Sequence, residues 1–375
     1  MPPLPCHPTP SPARRILPVS IAILLSVQGL FGEVPIDFQR AKELMQRVRQ
    51  GEQLTPDDQA YLDRARAARE HPAGSAKTPP NPAVPGAPPE ASKDAGLAGD
   101  DAHQRSRVPG VKIPTDLSPV TKITAKAADE QPVRAYYRKP PGEGPFPAMI
   151  CLHGGVESVS DRELEDLLLR NPTYTRFLAR GYVVIAGDYR SYTATPKARG
   201  PILDCLALTE AVKQLPFVDR ESVVIFGGSG GGSLALETAA STSLAAIVCG
   251  EPATVLFCGM LEDGEFGRRM AILQNPRERY TPERQATTRE KIKQIKCPVM
   301  ILDGDKHVLK TLNQEIFLPE LKAAGVDVLY QIYPGNPHGF YWGSGTTEKT
   351  VEQFMADIDA FLAGRLKTPP KAIAL

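Results

Sequence analysis

The stretch from Ser222 to Gly231, SVVIFGGSGG, decides the fold of this chain. It begins with an apolar, β-branched run typical of a buried strand, and the segment after it, GSLALETAA at 232–240, has the composition of a helix. A G-x-S-x-G sequence between a strand and a helix predicts a nucleophile elbow, a sharp turn that presents Ser229. The backbone of such a turn is strained, so the serine needs neighbours with almost no side chain, and the glycines supply them. A phosphate-binding turn is the alternative, but the segment lacks the Lys-Ser/Thr of a P-loop and the spacing of a dinucleotide-binding loop.

The chain around this stretch alternates between short apolar runs and amphipathic segments. Its 375 residues carry a net charge of +1, which gives no indication of a nucleic-acid partner. Strands are predicted near 120–127, 133–138, 148–152, 182–186, 223–226, 245–249, 299–302 and 326–333. Helices are predicted near 163–177, 202–214, 232–240, 312–324 and 348–362. This alternation predicts an α/β fold, a mostly parallel sheet with helices on both faces.

Composition divides the remainder of the chain. Residues 1–32, with Arg14-Arg15 before an interrupted apolar run, are typical of a signal peptide and predict export. Residues 33–70 predict a small helical hairpin, with Thr55 capping its second helix. Residues 71–113 are rich in Pro, Ala and Gly and predict a disordered linker. Residues 114–364 form the predicted catalytic domain, and 365–375 a tail.

Three motifs follow strands of the predicted sheet, where ligands of such sheets bind. His153-Gly154-Gly155 follows the strand at 148–152, Ser229 follows the strand at 223–226, and His338 follows the last strand. A nucleophile followed later in the chain by a histidine is the order found in an α/β-hydrolase.

Residues 114–364 resemble the α/β-hydrolase superfamily, nearest its dienelactone-hydrolase and prolyl-oligopeptidase branches. The resemblance is carried by four motifs: His153–Gly155, Gly187–Arg190, Gly227–Gly232 and Pro337–Phe340. Their order and spacing are specific for the fold and not for a substrate.

The resemblance implies roles for individual residues. Ser229 is the expected nucleophile and His338 its general base. The oxyanion donors are expected to be the backbone N–H of Gly230 and one from Gly155 or Val156. His153 is expected to be a structural residue of its loop, and Asp188 and Arg190 to brace the loop after their strand.

The acid is where the sequence departs from the family pattern. The family places it in G-x-x-D after the strand at 299–302, and here that segment reads Gly304-Asp305-Lys306-His307. Asp305, two residues early, and Glu251, just after the preceding strand, are both candidates, and a Ser-His dyad without an acid is the third possibility. His307 would hold a surface turn or contact substrate.

A helical cap is predicted at 252–296, between the strands at 245–249 and 299–302. Phe257, Met260, Tyr341 and Trp342 are candidate pocket walls, with core packing as the alternative. No Cys/His cluster has zinc spacing, so no metal is expected, and no cofactor either. Six cysteines, one of them in the signal segment, leave five in the mature chain, where one disulfide remains possible.

The predicted function is that of an exported serine hydrolase that cleaves a small-molecule carboxylic ester through an acyl-enzyme on Ser229. A serine peptidase of the prolyl-oligopeptidase type is one alternative, although residues 33–113 hold a hairpin and a linker and no propeller. A non-catalytic binding protein on a hydrolase scaffold is the other. No nucleic-acid partner is expected, and no membrane contact after signal cleavage; the oligomeric state is left open.

Overall fold

The computed structural model describes residues 38–49, 54–70, 108–191, 199–262, 265 and 269–374. These fall into two compact units, one within residues 1–89 and one within 90–375. The predicted signal peptide and residues 71–107 of the predicted linker lie outside the described residues.

The first unit is a pair of helices, α1 (Phe38–Arg49) and α2 (Pro56–Glu70). Ala41 and Leu44 of α1 pack with Leu62 and Ala65 of α2, and all four side chains are buried. Thr55 caps α2 as the sequence predicts, because its hydroxyl accepts the N–H of Asp58 at 3.2 Å.

The second unit is built on one sheet of eight strands. The strands are β1 (Thr121–Lys126), β2 (Pro132–Arg138), β3 (Phe146–Leu152), β4 (Val183–Gly187), β5 (Val218–Gly228), β6 (Ala246–Gly250), β7 (Val299–Gly304) and β8 (Val328–Tyr333). Their order in the sheet is β1-β2-β4-β3-β5-β6-β7-β8. The β1–β2 and β2–β4 pairs are antiparallel and the other pairs are parallel, so β1 and β2 form the predicted entry hairpin. The mostly parallel α/β sheet predicted from the sequence is confirmed.

Helices cover both faces of the sheet. They are α3 (Asp161–Arg170), α4 (Pro172–Arg180), α5 (Gly200–Lys213), α6 (Gly230–Ala239), α7 (Thr254–Phe257), α8 (Arg269–Gln274), α9 (Pro276–Arg279), α10 (Pro282–Gln294), α11 (Leu309–Leu312), α12 (Leu318–Ala323) and α13 (Glu348–Leu362), with a π-helical turn at Asn313–Phe317. Alternate residues of one strand enter two different cores: Ile150 and Leu152 pack with α5 and α6, whereas Met149 and Cys151 pack with α3, α4 and α13. Both faces of the central strands are therefore buried, which explains their continuous apolar sequence.

One predicted helix is two helices in the structure. The segment predicted near 163–177 breaks at Asn171, between α3 and α4. The Asn171 side chain accepts the N–H groups of Thr173 and Tyr174, and Pro172 occupies the first position of α4. An Asn-Pro pair favours a helix start over a helix interior, and this signal was present in the sequence.

The end of the predicted linker belongs to the second unit instead. Val108 and Ile113 are buried in its core. The carbonyl of Ile113 accepts a hydrogen bond from Arg138 at 2.9 Å, and that of Pro109 accepts one from Arg176 at 2.9 Å. Composition placed the linker boundary at 113, but these two apolar side chains and the buried arginines order the chain from 108 onward.

The predicted tail also packs on this unit. The N–H of Thr368 donates to the Ser222 hydroxyl at 2.8 Å, and the N–H of Ile373 donates to the carbonyl of Ala179 at 3.0 Å. Leu366 and Ile373 lie against the core. The folded unit therefore extends to residue 374, beyond the predicted boundary at 364.

The five cysteines in the described residues are Cys151, Cys205, Cys249, Cys258 and Cys297, all buried and unpaired. Burial raises the pKa of each thiol, which makes them small apolar side chains. Across the described part of the chain, no helix combines the length and the apolar character needed to cross a bilayer.

Candidate active site

Ser229 occupies the sharp turn that the sequence predicts between β5 and α6. Its φ of 51° and ψ of −113° are a strained conformation for a residue with a side chain. Its N–H donates to the carbonyl of Gly250 at 2.8 Å, which ties the turn to β6. A Cβ on Gly231 would lie 2.4 Å from the His153 carbonyl oxygen, so the elbow glycines permit a backbone contact that no other residue would.

His338 meets a carboxylate from the neighbouring strand. Its Nδ1 lies 2.9 Å from Oε2 of Glu251, the residue that follows β6. The oxygen lies off the line of the Nδ1–H bond, so the pair has the distance of a hydrogen bond without its angle. Such contacts in a resting site are often poorly aligned and improve when a substrate binds.

The Glu251 carboxylate is held by the backbone of two loops. Oε1 accepts the N–H of Gly304 at 3.1 Å and Oε2 accepts that of Gly339 at 2.8 Å. Glu251 itself has a positive φ of 44° and is almost fully buried. Burial raises the pKa of Glu251 to about 8, against the two N–H donors, and lowers that of His338 to about 4. Burial therefore favours a neutral imidazole, the form able to accept a proton.

The loop that carries His338 is anchored by the two aromatic residues after it. Tyr341 and Trp342 are buried, and their rings fill the space that a Cβ on Gly228 would need, 2.3 and 2.7 Å away. Tyr341 also packs on Gly250. His338 therefore lies at the carboxyl ends of β5 and β6, the edge of the sheet from which Ser229 and Glu251 also project. The sequence analysis left Tyr341 and Trp342 as pocket walls or packing residues, and the structure has them buried as packing residues.

Asp305, the other candidate acid, turns toward a different partner. Its Oδ1 accepts the N–H of Gly335 at 2.7 Å, and Lys306 lies 3.7 Å from its Oδ2. These contacts brace the loop after β8. Of the two candidate acids, the structure brings only Glu251 to His338.

The candidate oxyanion loop lies beside the elbow. A Cβ on Gly154 would be 3.7 Å from that of Ser229. The Tyr189 hydroxyl donates to the carbonyls of His153 and Gly155 at 2.9 and 3.2 Å. Because C=O and N–H point in opposite directions across a trans peptide, the N–H of Val156 points away from Tyr189. Gly230, the other candidate donor, is the first residue of α6, where backbone N–H groups face out of the helix.

His153 and Asp188 are part of the scaffold of this loop. The His153 ring is buried, stacks on Tyr189 at 4.3 Å, and lies 3.3 Å from Asp188. Burial alone would raise the pKa of Asp188, but His153, Val159 N–H and Ser158 lower it overall. Arg190 pairs with Asp204 and Asp129 and so ties its loop to α5.

The predicted cap region contains α7 to α10, but two of its candidate pocket residues are core residues. Phe257 and Met260 are buried completely. Phe257 contacts Phe317 with ring centroids 5.4 Å apart and lies under the Lys291 ammonium. Their apolar character indicated a pocket wall or core packing, and the structure has them in the core. A cleft of about 320 Å³ lies between α10 and β8 at the amino ends of the strands, away from Ser229.

Two further residues stand near the site without an assigned role. Asp303, at the end of β7, is buried and accepts hydrogen bonds from Asn313 and Tyr330, and burial raises its pKa to about 7. No sequence signal distinguished it from a strand residue. His307 stacks on His338 with ring centroids 3.9 Å apart.

Ser229, Glu251 and His338 follow one another along a segment of the chain that matches a known family. The sequence profile of the prolyl oligopeptidase family matches residues 173–368, more than half of the chain. The chain belongs to the prolyl oligopeptidase family. It is therefore a serine hydrolase of the α/β-hydrolase superfamily, as the resemblance implied, and the family segment holds Ser229, Glu251 and His338.

Individual relatives of this family member are distant. The 2,6-dihydropseudooxynicotine hydrolase of Paenarthrobacter nicotinovorans is 28% identical over 225 residues, 55% of this chain and 57% of its own length. Esterase 2 of Thermogutta terrifontis superposes with a TM-score of 0.51 at 22% identity, over 68% of this chain and 99% of its own. The esterase Est22 gives 0.50 at 18% identity, over 67% and 82%. At these identities the two esterases show the shared fold.

Proposed function

We propose that this protein hydrolyses a small-molecule carboxylic ester through an acyl-enzyme on Ser229. The observation that carries the proposal is the strained elbow of Ser229, at the same edge of the sheet as a histidine whose Nδ1 lies 2.9 Å from a buried carboxylate. Strain of this kind in a residue with a side chain is typical of a functional site.

The chemistry follows the serine-hydrolase scheme. The neutral imidazole of His338 takes the proton of the Ser229 hydroxyl as Oγ bonds to the ester carbonyl carbon. Backbone N–H groups of the 153–156 loop and of α6 stabilise the oxyanion. The intermediate collapses, the C–O bond to the alcohol breaks, and His338 returns the proton to the leaving oxygen. Water then repeats the sequence on the acyl-enzyme. Glu251 orients the imidazole and stabilises its charged form.

Ester hydrolysis and peptide hydrolysis use the same catalytic groups, so the site alone does not distinguish an ester substrate from a peptide. The curated relative is named as the hydrolase of a small molecule, which supports a small substrate. Family membership alone keeps a prolyl-oligopeptidase activity as the second candidate. Turnover of short-chain chromogenic esters, compared with prolyl peptide amides, distinguishes the two.

A fluorophosphonate probe tests the mechanism without knowledge of the substrate, because it labels an activated serine. We expect wild type to label and Ser229→Ala not to label. Glu251→Gln should label and turn over esters roughly 10²–10⁴-fold more slowly, since the amide cannot stabilise the imidazolium.

Asp305→Asn is the matched control, and we expect it to label at the wild-type rate. Slow labelling of Asp305→Asn with fast labelling of Glu251→Gln would reverse the assignment of the acid. A folded wild-type protein that is not labelled would favour the binding-protein alternative.

We also propose export, on the basis of Arg14-Arg15 and the apolar run that follows them. Sequencing the N-terminus of the protein recovered from its host tests this, because an exported and processed chain begins near residue 33.

A further inference from the structure

Two histidine rings lie face to face at the candidate site. The His307 and His338 centroids are 3.9 Å apart, with 22° between the ring planes. Nδ1 of His307 accepts the backbone N–H of Leu309 at 3.1 Å. A ring nitrogen that accepts a hydrogen bond carries no proton, so His307 is the neutral tautomer with its proton on Nε2. The start of α11 thereby fixes the orientation of the His307 ring.

Glu251, His307 and His338 are all residues that can bind a metal, but the stacking of the two rings does not suit a metal site. Within the described residues, ligand atoms of Glu251, His307 and His338 lie within 4.8 Å of one another. The lone pairs of an imidazole lie in its ring plane, and two nearly parallel, stacked planes do not direct them at one point. The Glu251 oxygens each accept a backbone N–H already. The arrangement is a ring-on-ring contact.

Glu251 alone does not fix the plane of the base. Its Oε2 is close to Nδ1 of His338 but off the N–H line. The faces and edges of the His338 ring are restrained by neighbours instead, with His307 on one face and Tyr341 in an edge contact at 6.2 Å. We propose that His307 is a positioning residue, whose ring fixes the plane of the His338 imidazole so that Nδ1 stays beside Glu251 and Nε2 is the nitrogen left for Ser229. This inference rests on the proposed role of His338 as general base.

The stacked ring also suits the charge that His338 carries during the reaction. An imidazolium over the face of a neutral aromatic ring is stabilised, whereas a second imidazolium would repel it. Burial and the proximity of His338 lower the pKa of His307 to about 2, so it stays neutral when His338 is protonated. The other titratable groups that face His338 are Glu251 and Tyr341, and Asp303 lies beyond Glu251.

Three substitutions separate the ring contact from the hydrogen bond. His307→Phe keeps a ring and loses the acceptor for Leu309, His307→Asn keeps an acceptor and loses the ring, and His307→Ala loses both. We expect the Phe variant to retain kcat within about threefold, and the Asn and Ala variants to lose about tenfold or more in kcat with little change in KM. Thermal unfolding of each variant identifies any that fail to fold.

The pH profile provides a readout that a purely structural role would not change. Without the ring, water reaches His338 and stabilises its charged form, so the pKa of His338 should rise and the acid limb of kcat/KM should change in the Ala and Asn variants. The Phe variant should keep the wild-type limb. Wild-type kinetics in folded His307→Ala would overturn the proposal, and so would rescue by Asn combined with loss of activity in Phe.

A measurement independent of turnover separates this inference from the proposed function. Histidine ring resonances followed by NMR report the pKa of His338 in wild type and in His307→Ala. An upward shift on removal of the ring supports the stacking contact whether or not His338 is the general base. An unchanged pKa in an enzyme that fluorophosphonate does label would leave the hydrolase intact and reject the positioning role.

Discussion

Ser229 and Glu251 each follow the last residue of a strand, β5 and β6, and each has a positive φ. The paired positions before them, Gly228 and Gly250, lie opposite each other in the parallel register. Both side chains are therefore turned out at the same edge of the sheet. Strain at a non-glycine residue persists only where the surroundings over-determine it, and here the N–H of Ser229 and that of Glu251 are each bonded to a neighbouring strand.

The burial of the His338 imidazole predicts how activity depends on pH. A base must be neutral to act, and burial lowers the pKa of His338 from about 6.5 to about 4. Burial also raises the pKa of Glu251 to about 8, so Glu251 takes up a proton before His338 does and loses the charge that stabilises the imidazolium. The acid limb of activity should therefore lie above the usual pKa of histidine, although His338 itself stays neutral there. The measurement is the acid limb of kcat/KM for a chromogenic ester, at pH values where circular dichroism shows the fold intact. An acid limb at or below the ordinary histidine value near 6.5 in a folded enzyme would contradict the prediction.

Local chemistry explains which site residues the sequence could predict. The elbow of Ser229 depends on neighbours within two positions, so its glycines are visible in the sequence. The acid depends on which of two carboxylates, Glu251 or Asp305, reaches a histidine far along the chain, and no local pattern encodes that. Phe257 and Met260 illustrate the same limit, because an apolar side chain in an insertion suits a pocket and a core equally well.

Among the elements, the contact between the β5 and β6 ends and the turn at Phe340–Trp342 positions the base. The Thr173 hydroxyl of α4 donates to the carbonyl of Tyr341 and holds this turn from the other side. The position of His338 is thus set by a strand, a helix and an aromatic turn together.

Gly228→Ala tests that contact. The new Cβ would lie 2.3 Å from the Tyr341 ring and 2.7 Å from that of Trp342, so both rings must move. We expect a loss of about 1–3 kcal/mol in the free energy of unfolding, typical of overpacking, together with reduced activity.

Gly154→Ala is the matched control for stability, because its Cβ would meet its nearest atoms at an ordinary 3.7 Å. Chemical denaturation of the two variants compares them directly. Equal stability of Gly228→Ala and wild type would show that the aromatic turn is not closely packed on the strands.

The central strands β3, β4, β6 and β7 were predictable because each is a short apolar run buried on both faces, a pattern that does not depend on distant contacts. The boundaries of the helices were harder to predict. The Asn171 cap divides a helix that apolar periodicity alone joins, since the amphipathic pattern continues across α3 and α4.

At the scale of the whole molecule, the segment before the first strand is part of the folded second unit. Residues 108–113 supply the buried side chains of Val108 and Ile113, and the carbonyl of Ile113 accepts a hydrogen bond from the buried guanidinium of Arg138. Composition could not show this, because a proline- and glycine-rich segment is ordered here by two apolar side chains and by arginines from elsewhere in the chain.

Two truncations test where the folded unit begins. A chain of residues 108–375 should be soluble and as active as the full chain, since the described contacts of the unit are retained. A chain of residues 114–375 should be less stable, because it removes the Ile113 carbonyl that accepts from the buried Arg138 and exposes the core against which Val108 and Ile113 pack, a loss of about 3 kcal/mol or more. Thermal unfolding and ester turnover measure both. Equal stability of the two chains would show that the folded unit begins after residue 113, as composition predicted.

The proposed acid, Glu251, follows the strand next to that of the proposed nucleophile, Ser229, and this has a consequence for folding. Ser229 and Glu251 belong to a single β5-α6-β6 unit and are 22 residues apart, whereas an interval of 87 residues separates Glu251 from His338. By loop-closure entropy, the second encounter costs roughly 1 kcal/mol more than the first. Two of the three groups can thus be assembled by a local supersecondary structure early in folding. Arrival of the histidine from the last strand is then the step that turns a formed scaffold into a working site.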